Sequence, residues 1–545
     1  LKQSQSLRAK SSRSGLMALA LSAWAQCPVL PQCTCFHKDD ADTPCFEEEQ
    51  FSRLLSWMQE QTEIALPLDQ KQEVPKLHDV LAITHPWHGS RTVVAASHLQ
   101  ADTLVMRLPL RVLMHSGYYK HIQPGSELLG TDADKVHAKL AEDLKRGLKG
   151  RELETYMAEQ SWLALFLLEH RGLGEASPWA SYINVLPATF PEAPIFYGPQ
   201  EFEWLEGSSF IRRVLRHREN LEAQYATIGE LIPGFNRSYL LEDFLWARSA
   251  ISTRVFGWRL PGLPTDATEF MVPLGDMFNH RSPKQIEWFY NSTAQTLDFW
   301  TREEVQKGSE LLISYGGKCN SEYLLHYGFA APDIHSRQPP LSTVRLLLDL
   351  DEGVQDRAQL QKLLLKSRLK EEGPLEPEEF RLKAAWKGSE AEQLIAYARL
   401  LSMSYTEVVQ RFRTRSCREF STPPRCEQAM GLENEQLALT RCLKAVDVAL
   451  SAYPTSVEED ESLIPTLQGV AHSLVLLRRD EKLVLRWWQH WFQVALQALN
   501  LEKEQIEELA DRTFGRLHSD GDYLRLRLAP LMQVEREWSL KNTKL

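Results

Sequence analysis

The stretch GSELLISYGGKCNSEYLLHYGF, residues 308–329, joins a short apolar run to a polar turn and then to an amphipathic segment. Residues 311–314 predict a buried strand, and residues 320–327 predict a helix. The tripeptide Tyr315-Gly316-Gly317 breaks the strand, and Tyr327-Gly328 ends the helix, because glycine is a common helix stop. Packing explains the two tyrosines as well as a shared site does. The rest of the chain has to decide between these explanations.

The composition is that of a soluble globular protein with room for two or three domains. The chain has 545 residues, of which 43% are hydrophobic and 25% are charged. Its net charge of −11 argues against nucleic acid as the main partner, because a duplex binder needs a basic face. The clustered cysteines contain no Cys-x-x-Cys pair, so no metal is predicted; they are Cys27, Cys33, Cys35 and Cys45.

Residues 1–50 are predicted to be a disordered or targeting segment. Residues 1–38 are rich in serine and basic residues and contain no Asp or Glu, as in a transit peptide. The apolar run at residues 16–25 resembles a secretory signal and is too short to span a bilayer, so no membrane partner is predicted. If residues 1–45 are a targeting peptide, the compartment is a plastid or another organelle; otherwise it is the cytoplasm.

The pattern of strands and helices predicts an α+β fold. Strand signals at residues 91–96 and 103–108 return at residues 269–274, 286–290, 296–300 and 311–314. Residues between about 115 and 250 are mostly helical in pattern, so a helical insertion interrupts a β-rich domain that covers residues 51–335. Residues 340–545 are nearly all helix-forming and predict an all-α C-terminal domain.

The stretch FMVPLGDMFNHRSP, residues 270–283, runs from an apolar strand into Asp276 and then Asn279-His280. Taken alone, Asn-His after a strand is usually a hydrogen-bonded turn, and Asp276 is a possible helix N-cap. The combination with Tyr315-Gly316 and Tyr327-Gly328-Phe329 favours a functional site instead.

That combination resembles the SET-domain methyltransferases of the class typified by the Rubisco large-subunit lysine methyltransferase. The resemblance covers roughly residues 80–545 and rests on five elements in order. They are SPWASYINVLP (177–187), WARSAISTRVF (246–256), DMFNH (276–280), ISYGGKCNSEYLLHYGF (313–329) and NEQLALTRCLKAVDVALSAYPTSVEEDESLI (434–464). The resemblance implies a SET fold interrupted by the helical insertion and followed by a helical substrate-binding domain.

The resemblance also implies S-adenosylmethionine as the cofactor and a role for each matching residue. Tyr315 is the implied catalytic residue. Arg254 would pair with the cofactor carboxylate, and Asn279 and His280 would hold its amine and adenine. Three further residues are expected to line the substrate channel: Asp276, Tyr327 and Phe329.

One element departs from the pattern of this family. The glycine-rich strand usually reads Gly-x-Gly-Leu-x-Ala, and here Ser90-Arg91-Thr92-Val93-Val94-Ala95 stands in its place. Glycines in such a strand let a ligand approach the backbone closely. Ser90 and Thr92 are therefore predicted at the cofactor site, where the Thr92 side chain would crowd the cofactor.

The favoured function is a protein-lysine N-methyltransferase that acts, as a monomer, on a non-histone protein docked on the C-terminal domain. A histidine acceptor is an alternative within the same class. A SET-like protein that has lost catalysis and serves as a binding scaffold is an alternative from another class, and Ser90 and Thr92 favour it. A hydrolase that uses Asp276 and His280 is disfavoured, because the chain has no nucleophile motif.

Overall fold

The computed structural model describes residues 46–65, 74–84, 91–115, 154–232, 234–261, 269–332, 342–348, 378–403, 431–516 and 518–534. Residues 1–45 of the predicted disordered or targeting segment, the four clustered cysteines and Ser90 lie outside these residues, whereas residues 46–50 of that segment begin helix Phe46–Ala65. The chain is divided into two compact units. The first comprises the described residues of Leu1–Gly198, Val214–Lys318 and Leu325–Gly328, and the second those of Pro199–Arg213, Cys319–Leu324 and Phe329–Leu545.

The first unit contains four small sheets of two or three strands. The sheets are antiparallel except for one parallel pair, Asn279–His280 with Leu312–Ile313. The six strands that the sequence predicts are present, with ends that differ by up to three residues, whereas four short strands were not predicted: Leu81–Thr84, Met114–His115, Phe256–Gly257 and Asn279–His280. The antiparallel sheets are Leu81–Thr84 with Thr92–Ala95, Leu104–Pro109 with Thr296–Thr301 and Ile286–Asn291, and Met114–His115 with Glu269–Met271 and Phe256–Gly257.

The helices of the first unit supply one side of its core. Helix Leu241–Ser252 buries eight consecutive residues, from Phe244 to Ile251, and lies against helix Glu154–Gly172. The remaining α-helices of this unit are Phe46–Ala65, Leu77–Val80, Ala180–Ile183 and Phe235–Ser238; helices Phe210–Leu231 and Asn320–Tyr327 begin in the second unit and continue in this one. Strands and helices together confirm the α+β class.

A buried ion pair ties two strands of the largest sheet together. Arg107 donates to both carboxylate oxygens of Asp298, at 3.0 and 2.8 Å, and Thr296 donates to the same carboxylate at 2.7 Å. Arg107 and Asp298 are both buried, and the carboxylate is bonded through both oxygens, which is the arrangement a buried charge requires. The pair therefore holds this sheet in register.

The second unit is mainly helical and also contains an antiparallel strand pair, Thr343–Leu348 with Glu378–Lys383. The prediction of an all-α C-terminal domain missed these strands. The first strand, Thr-Val-Arg-Leu-Leu-Leu, contains three leucines and an arginine, which are good helix formers, so residue type alone favours a helix. In the structure every second side chain of this segment is buried, which is the pattern of a strand. The helices of this unit are Pro199–Trp204, Ala391–Leu401, Leu432–Ser451, Val457–Leu463, Gly469–Ala498 and Lys503–Phe514.

The longest described helix, Gly469–Ala498, runs through the core of the second unit. Trp488 and Trp491 are fully buried on it, so these two tryptophans belong to the core of the unit. Five consecutive charged residues, from Arg478 to Lys482, are also buried on this helix. Each of them has hydrogen-bonding partners within the unit; Glu481, for example, accepts from Ser209 at 2.8 Å and from Tyr453 at 3.0 Å. Among the described residues, no helix is long and apolar enough to cross a membrane.

Candidate active site

The parallel strand pair brings the two diagnostic stretches of the sequence together. Asn279 lies opposite Leu312 and His280 opposite Ile313. Just beyond the strands, the Tyr315 N–H donates to His280 Nδ1 at 3.0 Å. Because Nδ1 accepts this bond, a neutral His280 carries its proton on Nε2.

Tyr315 is held by its hydroxyl, its backbone and its ring. The hydroxyl donates to the carbonyl of Phe278 at 2.7 Å. The ring stacks on that of Tyr327, with centroids 4.8 Å apart and planes 25° from parallel. Burial raises the pKa of the Tyr315 phenol, so the hydroxyl stays protonated at neutral pH. Tyr315 and Tyr327 are called the tyrosine pair below.

Two glycines with positive φ let the chain turn around the tyrosine pair. Gly316 follows Tyr315 with φ of 91°, and Gly328 follows Tyr327 with φ of 79°. A Cβ atom on Gly328 would lie 2.9 Å from backbone and side-chain atoms of Glu192, so no other residue fits there without a shift. Between them, the Lys318 ammonium donates to the Tyr315 carbonyl and lies 5.6 Å from the Tyr327 ring centroid.

Asp276 is a buried carboxylate with one oxygen still open. The Tyr182 hydroxyl donates to its Oδ2, whereas its Oδ1 is buried and has no hydrogen-bond partner. Burial raises the pKa of Asp276 to about 7, although the charge of Arg254 and the bond from Tyr182 act in the opposite direction. The backbone reaches this position through Leu274, which has φ of 68°, a conformation that a residue with a side chain rarely adopts.

Arg254 follows the end of helix Leu241–Ser252 and presents a buried donor. Its Nη1 donates to Thr253 Oγ1 at 2.6 Å, and its guanidinium lies 5.7 Å from the Phe190 ring centroid. Its Nε is buried and has no hydrogen-bond partner. The positive charge of Arg254 acts to lower the pKa of both Asp276 and Tyr315. A cation with an open donor and a carboxylate with an open acceptor therefore lie within electrostatic reach of Tyr315.

The remaining predicted residues occupy different surroundings. Thr92 is buried in the strand opposite Thr84, and the neighbouring Val93 carbonyl accepts from the N–H of Leu311 at 2.9 Å. The predicted cofactor strand thus runs beside the segment that leads to Tyr315. Asn279 is exposed, and its Nδ2 donates to Glu310 at 2.7 Å.

Phe329 lies in the second unit, where it stacks on Tyr323 at 5.1 Å, whereas Tyr327 lies in the first. The structure therefore brings together Tyr315, Tyr327, His280, Asp276 and Arg254. A common aromatic wall of Tyr327 and Phe329 stays a prediction.

Sequence reasoning did not assign a role to Tyr182 or to the Phe278 carbonyl, which orient Asp276 and Tyr315. Tyr182 lies in the SPWASYINVLP element, so its place in that motif was an available signal. A backbone carbonyl leaves no signal in residue identity. Within the described ranges, no group of three or more His, Cys, Asp or Glu side chains could hold a metal ion.

Several solved structures share this fold. A structure of the SET domain of LSMT bound to lysine and AdoHcy matches with a TM-score of 0.60 and 21% identity, covering 88% of this chain and 99% of that one. A structure of Rubisco LSMT bound to AdoMet matches with a TM-score of 0.58 and 20% identity, covering 87% of this chain and 98% of that one. The chain therefore has the fold of these SET-domain structures of the Rubisco LSMT class.

The C-terminal part and the sequence relatives agree with this class. Residues 352–486 match the family model described as Rubisco LSMT substrate-binding. The actin-histidine N-methyltransferase of Rhinolophus ferrumequinum is 26% identical over 322 residues, which are 56% of this chain and 51% of the relative. The ribosomal lysine N-methyltransferase set10 of Schizosaccharomyces pombe is 28% identical over 187 residues, which are 34% of this chain and 33% of the relative. The chain thus spans about half the length, or less, of these two relatives.

Proposed function

We propose that the protein transfers a methyl group from S-adenosylmethionine to a lysine side chain of a non-histone protein. The observation that carries the proposal is the pair of open, buried polar atoms beside the tyrosine pair, Arg254 Nε and Asp276 Oδ1. A buried polar atom without a partner is costly, so a site that keeps two of them near a buried tyrosine is built to receive a polar ligand.

The residues fit the amino-acid end of this cofactor. Arg254 Nε has no hydrogen-bond acceptor, and the carboxylate of S-adenosylmethionine could supply one. A hydrogen bond from arginine to a carboxylate is charge-assisted and therefore strong. When bound, the cofactor supplies an activated methyl group on a positively charged sulfur. Ser90 and Thr92 remain the proposed strand contacts, and Asn279 and His280 the proposed contacts to the amine and adenine.

Tyr315 orients the acceptor and is not a general base. Its raised pKa keeps the hydroxyl protonated, and its proton is directed at the Phe278 carbonyl. A phenol oxygen can accept a hydrogen bond as well as donate one, and in the proposed complex the acceptor nitrogen donates to it. Methyl transfer from the cofactor sulfur to a nitrogen is an in-line displacement, so its main requirement is to hold the nitrogen in line with the methyl group and the sulfur.

A lysine acceptor has to lose a proton before it can react. With an ordinary pKa of about 10.4, this costs about 4 kcal/mol at pH 7.4. Burial disfavours the charged amine, and the nearby positive charge of Arg254 acts in the same direction, so both lower this cost. The stacked faces of Tyr315 and Tyr327 provide flat apolar surfaces suited to the alkyl chain of lysine.

A histidine acceptor is the second candidate, and the identity of the relatives favours it. Several matched relatives are actin-histidine N-methyltransferases, including that of Danio rerio at 26% identity over 339 residues. A neutral imidazole needs no deprotonation of a strongly basic amine and also packs against aromatic rings. The acceptor is identified by incubating the protein and labelled cofactor with a lysate, followed by mass spectrometry of the modified residue. Label found only on histidine would refute the lysine proposal.

Cofactor binding itself is tested by calorimetric titration with S-adenosylmethionine. Arg254→Ala should weaken binding by about 1.5–3 kcal/mol, the usual contribution of a hydrogen bond to a charged group. Arg254→Lys is the matched control, because it keeps the charge and loses the fork of donors, so its loss should be smaller. A folded Arg254→Ala variant with unchanged affinity would remove Arg254 from the site. Wild type that binds the cofactor and modifies nothing would support the scaffold alternative.

A further inference from the structure

Asp276 has the geometry of a proton acceptor, and all of its neighbours described below lie in the first unit. It is 8% exposed, its Oδ2 accepts from the Tyr182 hydroxyl, and its Oδ1 has no hydrogen-bond partner among the described residues. Two residues further on, the Phe278 carbonyl accepts from the Tyr315 hydroxyl at 2.7 Å. The negative charge of Asp276 also acts on the Tyr315 phenol. An acceptor nitrogen bound at Tyr315 therefore lies near a carboxylate with one open oxygen.

The surroundings of Asp276 adjust its affinity for a proton. Burial raises the pKa of Asp276 to about 7. Three groups act in the opposite direction: the charge of Arg254, the hydrogen bond from Tyr182 and the charge of Arg91. A general base is most effective when its pKa is close to the working pH, because it is then ionised and still basic enough to take a proton. Asp276 meets this condition near neutral pH, whereas the Tyr315 phenol stays protonated there.

Tyr182 is held in place by hydrogen bonds on both sides of it in the sequence. Its side chain is fully buried. Three residues before it, Trp179 Nε1 donates to the Val112 carbonyl at 2.9 Å. Three residues after it, the Val185 carbonyl accepts from Arg91 Nη1. The Tyr182 hydroxyl is therefore directed at Oδ2 of the carboxylate and leaves Oδ1 as the open oxygen.

We propose that Asp276 is the catalytic base that removes a proton from the acceptor amine, with Tyr182 as its positioning residue. This inference rests on the proposed function, in which a lysine nitrogen binds at Tyr315. In this step an N–H bond of the lysine ammonium breaks and an O–H bond forms on Oδ1 of Asp276. The nitrogen keeps the electron pair of the broken bond and attacks the methyl group with it. Asp276 later gives the proton to water, so one proton is released for each methyl group transferred.

The dependence of turnover on pH tests the catalytic role. Methyl transfer from labelled S-adenosylmethionine to lysate protein is followed between about pH 6 and pH 9, at saturating cofactor. Wild-type turnover should rise with pH and level off above about pH 7, once Asp276 is ionised. Asp276→Asn should be about 10²–10⁴-fold slower at pH 7. Its rate should continue to rise by about tenfold per pH unit, because the lysine then loses its proton to the solvent. An unchanged rate at pH 7 in the folded variant, or a rate that levels off as in wild type, would overturn the proposal.

Tyr182→Phe tests the positioning role through a shift of the pH profile. Without the hydroxyl, the ionised form of Asp276 loses a hydrogen bond and its pKa rises. The pH at which turnover levels off should therefore move up by about one unit. Tyr225→Phe is the matched control, because the Tyr225 hydroxyl donates to the Tyr239 carbonyl at 2.9 Å in the same unit. This control loses one hydrogen bond and should keep the wild-type profile. The absence of a shift in Tyr182→Phe, or an equal shift in both variants, would contradict the positioning role.

Proton release on cofactor binding is a second measurement, and it requires no methyl transfer. The positive sulfur of S-adenosylmethionine favours the ionised carboxylate, so binding near pH 7 should release part of a proton from Asp276. Calorimetric titrations in buffers of different ionisation enthalpy measure this release. S-adenosylhomocysteine lacks the sulfur charge and should release less, and Asp276→Asn should abolish the difference between the two ligands. Equal release by both ligands in wild type would refute the placement of Asp276 beside the reacting atoms.

The outcomes separate this inference from the proposed function. Methylation of lysine by wild type, together with a wild-type pH profile in Asp276→Asn, would support the proposed function and overturn the inference. Label on histidine alone would overturn both, because a neutral imidazole needs no base before the transfer. Cofactor binding without any transfer would also overturn both. If Asp276→Asn does not fold, the shift in Tyr182→Phe decides, because that variant retains the carboxylate.

Discussion

The Tyr315 hydroxyl is a single group on which the proposed chemistry can be tested. Tyr315→Phe keeps the stacked ring and removes the bond to the Phe278 carbonyl. Turnover should fall by about 10²–10³-fold, by analogy with the loss of one transition-state hydrogen bond. Cofactor affinity should change little, because the hydroxyl acts at the acceptor nitrogen. A purely structural tyrosine gives the opposite result in steady-state assays and thermal melts, with activity kept and stability lowered.

Two of the carboxyl groups with raised pKa values, Asp276 and Glu269, make stability depend on pH near neutrality. Burial raises the pKa of Asp276 and of Glu269 to about 7 each. A carboxyl group whose pKa is raised on folding binds its proton more tightly in the folded state. Such a group therefore contributes to the free energy of unfolding at pH values below its ordinary pKa. This contribution is lost as the pH rises from the ordinary pKa through the raised pKa of about 7. The melting temperature of wild type should fall over that interval.

Asp276→Asn should reduce the fall of the melting temperature with rising pH, because the amide resembles the protonated acid in shape and does not titrate. Glu269→Gln is the matched control: it should remove a separate part of the slope and leave cofactor affinity unchanged, since Glu269 bonds to Gln160 and lies outside the candidate site. Melting curves between pH 5 and pH 8.5 measure both effects. A wild-type slope retained in Asp276→Asn would mean that Asp276 is ionised throughout.

At the scale of elements, the strand Thr92–Ala95 is where the chain departs from the glycine-rich pattern. Thr92 is buried, and its strand runs beside residues 309–311. Thr92→Gly should lower stability by about 1 kcal/mol, because glycine loses more backbone freedom in a strand. If the threonine crowds the cofactor, the same change should tighten cofactor binding in calorimetry. Thr84→Gly, on the paired strand, is the control for the general cost of a glycine. An unchanged dissociation constant in Thr92→Gly would contradict the crowding argument or the alignment of this strand with the glycine-rich one.

Local elements were predictable from the sequence, and long-range polar partners were not. Helix Asn320–Tyr327 and the turns at Gly316 and Gly328 follow from hydrophobic period and glycine placement. The bond from Tyr182 to Asp276 joins residues 94 positions apart, and no local pattern records it. Strand Thr343–Leu348 was missed because its residue types favour helices while its burial follows a strand.

At the scale of the whole molecule, the division into units does not follow chain order. Residues 199–213 and 319–324 join the C-terminal half of the chain in the second unit. The sequence predicts one boundary near residue 340, because composition changes there. Which buried partners a segment acquires depends on tertiary structure, as the bond from Ser209 to Glu481 illustrates. The proposed substrate-docking role of residues 340–545 is unaffected by this division.

Removing the residues after 340 should therefore do more than abolish docking. The truncated chain would lose Asp480 and Glu481, and Asn320 and Ser209 would keep polar groups without their buried partners. We expect a lower melting temperature and poor solubility, together with loss of methylation of a protein substrate. Thermal melting and a transfer assay on the purified fragment measure these effects. A well-folded fragment with undiminished protein methylation would contradict both the docking role and the structural one.

The bond between Asn320 and Asp480 also constrains how the protein is made. Its two residues are 160 positions apart, so Asn320 leaves the ribosome long before its partner exists. At synthesis rates of about 5–20 residues per second, this delay is roughly 8–30 seconds. During that time the backbone of Ala331, 11 positions away, can already bond to Asn320, and water takes the place of Asp480. Synthesis of the C-terminal half, and not of the tyrosine-bearing half, therefore sets the earliest time at which Asn320 can have all of its hydrogen bonds.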